Sequence, residues 1–196
     1  RAVWASIELF DCVFLDNVTS GVSSFATGLE VRDTVFRGNG TGVGAADSGG
    51  LSWEGVDLLR TEVIGNDHGI EIFPESANVT LDSCVVDSNQ VYGIQASSSL
   101  LRRVHVDDSS VSGNGVGVRL SNLVVLEAEN AVVSENVGDG IQLETVLSDV
   151  LLTNCEIRNN GGWGVGGAPA GSKGRVARDT GVSMEVTGGV IRENVN

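Results

Sequence analysis

The chain has 196 residues, a length that fits one domain, and its 26 acidic residues outnumber 12 lysines and arginines to give a net charge of −14. Nucleic acid and anionic membrane surfaces are therefore unexpected partners, because both are bound through clustered basic side chains. No apolar run approaches the roughly 18 residues of a membrane span, so membrane insertion is not expected. With 27 glycines and only 5% aromatic residues, the chain can bury a narrow core but not a thick globular one.

An asparagine recurs along the chain every 22 to 34 residues and marks a repeating unit. The positions three, eight and ten residues before it are apolar in every unit, and the position five before it is always small. Shortly after most of these asparagines a glycine is followed by valine or isoleucine, as at Gly69-Ile70 and Gly93-Ile94. The eight repeat asparagines are Asn17, Asn39, Asn66, Asn89, Asn114, Asn136, Asn160 and Asn194.

Each unit predicts three short strands in a fixed order. The first strand holds the inward positions ten and eight before the asparagine, which alternate with an outward residue, and the second holds those five and three before it. The third strand opens at the valine or isoleucine after the glycine, and we expect that glycine to supply the backbone angles of the preceding turn. Stacked units predict an all-β, single-stranded parallel β-helix solenoid of about eight rungs with three parallel sheets.

Two connections between rungs are longer than the others and are predicted as loop insertions at residues 44–55 and 166–181. Long loops on a solenoid often carry function. Neither end of the chain shows an amphipathic helix or a charged cap. We therefore expect residues 1–196 to be one β-helix domain that is a fragment of a longer solenoid or stacks end to end with other chains.

The Asn-x(2–3)-Gly-Val/Ile signature resembles that of the right-handed parallel β-helix family, which has the pectate-lyase-like fold. The resemblance covers nearly the whole chain. It implies that the repeat asparagines point inward and bond one another in a ladder, and that the protein is extracytoplasmic, either secreted or at the cell surface. The leucine-rich repeat is the alternative fold, but small residues five before the asparagine and the lack of an amphipathic helix argue against it.

The three cysteines, Cys12, Cys84 and Cys155, occupy the same small-residue position of units three rungs apart. At the spacing of stacked strands this separates them by about 14 Å. A disulfide needs Cα atoms closer than about 7 Å. The cysteines are therefore predicted to be free, buried and structural.

The outward side of the third strand and the turn column beside it, formed by the residues just before the glycine, make up the candidate glycan-binding patch. His68 and Tyr92 belong to the turn column and are expected to be neighbours. Planar polar side chains beside aromatic rings suit sugars, with an exposed ring available for stacking. An ordinary polar β-face is the alternative interpretation. The candidate residues are His68, Glu71, Tyr92, Gln95, Arg119 and Gln142.

The first strand carries outward acids on neighbouring rungs, about 5 Å apart at the strand spacing. Asp82, Asp107 and Asp108 form a candidate Ca²⁺ site, because Ca²⁺ prefers several oxygen ligands. A solvated acidic face is the simpler interpretation. No other cofactor is indicated.

Two functions remain open. The first is a non-catalytic β-helix module of a secreted or surface protein, acting as a scaffold, adhesin or glycan-binding rod whose partner is a glycan or another protein surface. The second is a polysaccharide-processing enzyme (lyase, glycoside hydrolase or uronate epimerase) that acts on an outward groove.

Asp67-His68-Gly69 is similar to the His-Gly element of polygalacturonases, but the order of that family's elements along the chain is wrong and its Arg-x-Lys element is absent. The fold alone does not decide between the two, and no catalytic residue can be assigned.

Overall fold

A computed structural model describes residues 6–25, 28–46, 55–73, 78–144, 149–167 and 184–195. In these ranges every regular element is a β-strand, and none is a helix that could cross a membrane. The strands along the chain are β1 (Ser6–Phe10), β2 (Val13–Leu15), β3 (Ser20–Phe25), β4 (Gly28–Arg32), β5 (Val35–Arg37), β6 (Thr41–Ala46), β7 (Val56–Leu59), β8 (Glu62–Ile64), β9 (His68–Phe73), β10 (Val79–Asp82), β11 (Val85–Asp87), β12 (Tyr92–Asp107), β13 (Ser110–Ser112), β14 (Val116–Glu129), β15 (Val132–Ser134), β16 (Ile141–Leu143), β17 (Asp149–Thr153), β18 (Glu156–Arg158), β19 (Val165–Gly167), β20 (Met184–Thr187) and β21 (Val190–Arg192).

The strands stack in three parallel rows, as the repeat predicts. The second row is an eight-stranded sheet, β2-β5-β8-β11-β13-β15-β18-β21, with one strand for each repeat unit. The first and third rows share one 13-stranded sheet, because β12 and β14 each run on from the third row of one rung into the first row of the next. The three parallel rows are as predicted, and two of them are joined into one hydrogen-bonded sheet.

The predicted inward columns are in register and form the core. In the first row Leu29 pairs with Val56, which pairs with Val79, and in the second row Phe36 pairs with Val63. These side chains are at most 2% exposed. Burying apolar side chains in this way contributes about 1.5–3 kcal/mol each, which is how so narrow a core stabilises the rod.

Single residues with positive φ make both tight turns of each rung. At the end of the first strand they are Asp11, Asp33, Arg60, Ser83, Asp108, Asn130, Asn154 and Gly188. Directly before the repeat asparagine they are Asp16, Gly38, Gly65, Ser88, Gly113, Glu135, Asn159 and Glu193. Asp, Asn and Gly tolerate this region best. The glycine after the asparagine does not supply the unusual angles of the turn, so that expectation is wrong.

That glycine is needed for space. A Cβ atom on Gly93 would lie 2.7 Å from the backbone oxygen of Gly117 and 2.8 Å from Nδ2 of Asn114. The glycines of the neighbouring rungs meet similar atoms. A side chain here would collide with the next rung, so the close stacking of the third row depends on glycine.

The repeat asparagines form the ladder that the family resemblance implies. The backbone N–H and the Nδ2 group of Asn66 both donate to Oδ1 of Asn89, at 3.0 Å each, and Nδ2 also donates to the Phe36 carbonyl at 3.2 Å. The same side-chain bonds run from Asn17 to Asn39 and, at the far end, from Asn160 to Asn194. The buried amides thus satisfy one another, and the ladder is confirmed.

The three cysteines are free, as predicted. Cys84 and Cys155 are buried, whereas Cys12, on the first described rung, is only half-buried. The Cys84 thiol donates to the carbonyls of Leu58 at 3.4 Å and Asp82 at 3.3 Å. Burial raises the pKa of the Cys84 and Cys155 thiols, which favours the unreactive protonated form.

Both predicted loop insertions begin later than the sequence suggested. The first three residues of the 44–55 insertion belong to β6, and the first two of the 166–181 insertion belong to β19. These strand positions hold only glycine and alanine, so they lack the alternation of apolar and polar side chains that predicts a strand. Residues 47–54 and 168–183 lie outside the described part of the chain.

Candidate functional site: a polar strip on the third row

The predicted glycan-binding residues lie in two adjacent columns on the outer side of the third row. Tyr92 pairs in register with His68. In the neighbouring column Gln95 is in register with Glu71 on one side and Arg119 on the other, and Arg119 with Gln142. All six are partly exposed. Strand alternation turns Glu71, Gln95, Arg119 and Gln142 outward between buried neighbours, whereas His68 and Tyr92 each follow an exposed turn residue. We call the surface formed by these six residues with Thr41, Ser121 and Glu144 the polar strip.

At one end of the polar strip, Glu71 is held between two neighbours. Its Oε2 atom accepts a hydrogen bond from the Thr41 hydroxyl at 3.2 Å. Its Oε1 atom lies 3.2 Å from Nδ1 of His68. That distance suits an ion pair when the imidazole is protonated, but the angle does not make a hydrogen bond, and Nδ1 is buried without a hydrogen-bond partner among the described residues.

In the middle of the polar strip, Tyr92 is flanked on both sides. The His68 ring lies 5.7 Å away, tilted by 50°. The Arg119 guanidinium lies over the Tyr92 ring, 4.7 Å from its centre, and donates to the Tyr92 hydroxyl. The expected free ring for sugar stacking is therefore not Tyr92, since a cation–π contact already occupies one face.

At the other end, Arg119 pairs with Glu144, and the Ser121 hydroxyl donates to Oε2 of Glu144 at 2.8 Å. Burial opposes ionisation of Glu144, but the bonds from Arg119 and Ser121 outweigh it and lower the pKa of this carboxyl. The Nε atom of Arg119 is buried and has no hydrogen-bond partner in the described part of the chain. Arg119 is thus fixed by its two terminal nitrogens, and Glu144 remains ionised at neutral pH.

Trp163 supplies the exposed aromatic surface that Tyr92 lacks. It lies in the same turn column as His68 and Tyr92 and is 41% exposed. Its backbone N–H donates to Oδ1 of Asp139 at 2.7 Å, and a Cβ on Gly166 would lie only 2.8 Å from the Trp163 Cβ. The absence of a side chain at Gly166 leaves room for the indole. The turn column of the repeat places Trp163 beside the polar strip, and its exposure in the structure makes it a candidate stacking surface.

A second cluster lies on the first row and was missed by the sequence analysis. Glu127 pairs with Arg103 through Oε1, and its Oε2 lies 3.1 Å from Nδ1 of His105. His105 and Glu127 are direct register partners, whereas Arg103 reaches across from two residues earlier. The alternating pattern predicts that these residues face outward. It does not predict that Arg103 contacts Glu127, because that contact depends on the conformation of the long arginine side chain.

The structure brings two of the three predicted calcium ligands together. Asp82 and Asp107 are register partners, while Asp108 forms the following turn and accepts a bond from Asn130 at 3.1 Å. Burial raises the pKa of the Asp107 carboxyl; nearby His105 opposes the rise, and the Glu129 and Asp82 carboxylates add to it. Within the described residues no three His, Cys, Asp or Glu side chains form a group that could hold a metal ion. The calcium site stays a sequence prediction.

Comparisons with known proteins agree with this architecture. Residues 5–127 and 53–191 match the family model for the right handed beta helix region, so the chain belongs to the right-handed β-helix family. A crystal structure of the pectate lyase Pel9A is similar, with a TM-score of 0.54 over 88% of this chain at 13% sequence identity. The chain spans 50% of that structure. Similarity at this level shows the fold and leaves the activity open. A search of curated proteins finds no match.

Proposed function

We propose that this chain is a non-catalytic, glycan-binding β-helix module of an extracytoplasmic protein, and that the polar strip with Trp163 holds the sugar. The observation that carries the proposal is that Tyr92 contacts both its register partner His68 and, from the neighbouring column, Arg119 on one face of the rod. A repeating ligand suits a repeating surface. Strands also hold binding groups more precisely than loops do.

The pattern of contacts supports binding rather than catalysis. Carbohydrate sites combine apolar stacking surfaces with planar groups that donate and accept hydrogen bonds. The two glutamines of the strip do both, and Trp163, about 14 Å along the rod from Tyr92 at the strand spacing, provides the stacking surface. The charged members of the strip already pair with one another, as Arg119 does with Glu144. Such pairs position side chains more readily than they transfer protons.

A binding assay tests the proposal. Affinity electrophoresis and calorimetry with neutral and acidic plant, fungal and bacterial polysaccharides should reveal at least one ligand. Trp163→Ala should weaken that binding about tenfold, because truncating an aromatic anchor of a binding surface commonly costs that much. Phe10→Ala removes an exposed aromatic ring from the first row instead and should leave the affinity unchanged. Equal losses in the two variants, or no binding to any polysaccharide, would contradict the proposal.

One observation favours a catalytic alternative. The His68 Nδ1 atom lies 3.2 Å from Glu71, whose other oxygen is held by Thr41. A small rotation would let this carboxylate accept a hydrogen bond and orient the imidazole, as in general acid–base sites, where such bonds are often poorly aligned before substrate binds. If the chain is a polysaccharide-processing enzyme, it should release reducing ends or unsaturated products from a bound polysaccharide. Glu71→Gln should then abolish turnover while the affinity changes little. Absence of product with a polysaccharide that binds supports the non-catalytic function.

A further inference from the structure

We infer that the polar strip selects uncharged glycans and discriminates against polyuronates, an inference that rests on the glycan-binding function proposed above. A polyuronate carries a carboxylate on each sugar and needs free cationic groups on the protein. An uncharged glycan needs hydrogen-bond donors and acceptors, together with an apolar face for stacking. The polar strip provides hydrogen-bonding groups and, with Trp163, a stacking surface, whereas its one guanidinium is already paired.

The charges of the strip are the first argument. It contains two carboxylates, Glu71 and Glu144, against the single guanidinium of Arg119, so its formal charge is negative when His68 is uncharged. Asp67 and Asp139 lie in the turn beside it, and Asp139 is already engaged with the backbone of Trp163. A uronate on this surface would face like charges at short range, where salt screens them only in part.

The second argument is that the Arg119 guanidinium is already engaged by groups of the protein. One terminal nitrogen donates to the Tyr92 hydroxyl and the other to Glu144, and Nε is buried. The strong, bidentate recognition of a carboxylate requires two neighbouring guanidinium N–H groups. A uronate that binds both terminal nitrogens therefore competes with Glu144, and displacing Glu144 would leave that carboxylate without its cation.

The third argument is the chemistry of the remaining groups. The side-chain amides of Gln95 and Gln142 lie on either side of Arg119 in register and are uncharged. Each amide both donates and accepts, as a sugar hydroxyl does. The carboxylates of Glu71 and Glu144 accept hydrogen bonds from hydroxyl donors, which uncharged sugars have in abundance. Trp163 completes the set with its exposed ring.

A matched pair of ligands tests the inference. Oligogalacturonate and its fully methyl-esterified form have the same sugar chain and differ in the carboxylate charges. We expect calorimetry with the full chain to show the ester bound on the order of fivefold more tightly, as expected for unit charges about 5 Å apart in water. The difference should shrink as salt is raised, because it arises from charge repulsion.

Two variants locate the effect. Glu144→Gln removes one charge and frees Arg119, so it should reduce or reverse the preference for the ester. Glu62→Gln removes a carboxylate from the second row and should leave the preference unchanged. Equal or tighter binding of the acid by the wild-type chain, or a preference that Glu144→Gln does not alter, would overturn the inference while glycan binding stands. No binding of either form, or of neutral gluco-, manno- and xylo-oligosaccharides, would overturn the proposed function as well.

Discussion

The ladder asparagine and a nearby glycine act together on most of the described rungs. Asn114 accepts two bonds from Asn89 at 2.9 and 3.0 Å, and its Nδ2 group lies where a side chain on Gly93 would be. An amide ladder therefore needs a neighbouring position without a side chain. This explains why glycine recurs there although its φ is not positive.

Replacing this glycine should cost more than replacing a glycine on the same row that has space. In Gly93→Ala the new methyl group would lie 2.7 Å from the Gly117 oxygen, and we expect a loss of about 1–3 kcal/mol in the free energy of unfolding. In Gly44→Ala the nearest atom would be 3.7 Å away. That control should be neutral or gain about 0.4–1 kcal/mol through the unfolded state. Urea unfolding measures both, and equal effects would contradict the spatial role of Gly93.

For single residues, the sequence predicts which ones form the apolar columns but not which ones adopt the positive φ of the turns. Phe36 and Val63 stand at a constant distance from the repeat asparagine, so counting places them in one column. The positive-φ positions have no constant residue type: Arg60 and Glu135 serve where other rungs have aspartate or glycine. A backbone conformation that several residue types can adopt leaves little trace in one sequence.

Among the elements, the described part of the first row carries a run of like charges. Asp82, Asp107 and Glu129 follow one another in register, so their carboxylates repel across the sheet. Burial first, and then Glu129 and Asp82, raise the pKa of the Asp107 carboxyl against the opposing effect of His105. The folded chain therefore retains this proton at a pH where the unfolded chain has released it. This group makes stability fall as pH rises through that interval.

Asp107→Asn should therefore stabilise the protein at pH 7, because an amide cannot become the unfavourable carboxylate. As the pH falls towards about 3, below the ordinary aspartate pKa of about 3.9, the melting temperatures of the variant and the wild type should converge. Asp57→Asn, an exposed position on the same row, is the matched control and should show a smaller gain. A variant that is less stable than the wild type at pH 7 would show that Asp107 makes a stabilising contact as a carboxylate.

The pattern of strands predicts which residues of the site lie in one column but not which side chains touch. The repeat alignment identified the turn column beside the third row, and the structure confirms that His68 and Tyr92 are neighbours in it. It could not show that Arg119 covers the Tyr92 ring, because a long side chain can reach several neighbours from one backbone position. The fusion of rows through β12 and β14 was not predicted either, since the repeat pattern does not show that pairing continues through the bend, where β14 has a positive φ at Asn122.

For the whole molecule, the excess of acidic residues is spread over outward columns that stack at about 4.8 Å. Such a surface destabilises the folded rod through self-repulsion. The ion pairs that oppose the repulsion lie at the surface, as that between Arg60 and Asp33 at 2.6 Å does, and exposed pairs of this kind contribute little. Repulsion should therefore dominate the response of the rod to ionic strength.

Raising NaCl from about 0.01 to about 0.15 M shortens the screening length from about 30 to about 8 Å, so the melting temperature should rise. A fall would mean that the surface ion pairs outweigh the repulsion.

CaCl₂ at matched ionic strength tests whether calcium binds specifically as well as screening charge. Screening alone predicts the same rise for both salts, and MgCl₂ accounts for any effect of divalent charge. A further rise with Ca²⁺, lost in Asp82→Asn, would instead identify the calcium site that the sequence predicts at Asp82 and its neighbours, because specific binding to the folded state adds stability beyond screening.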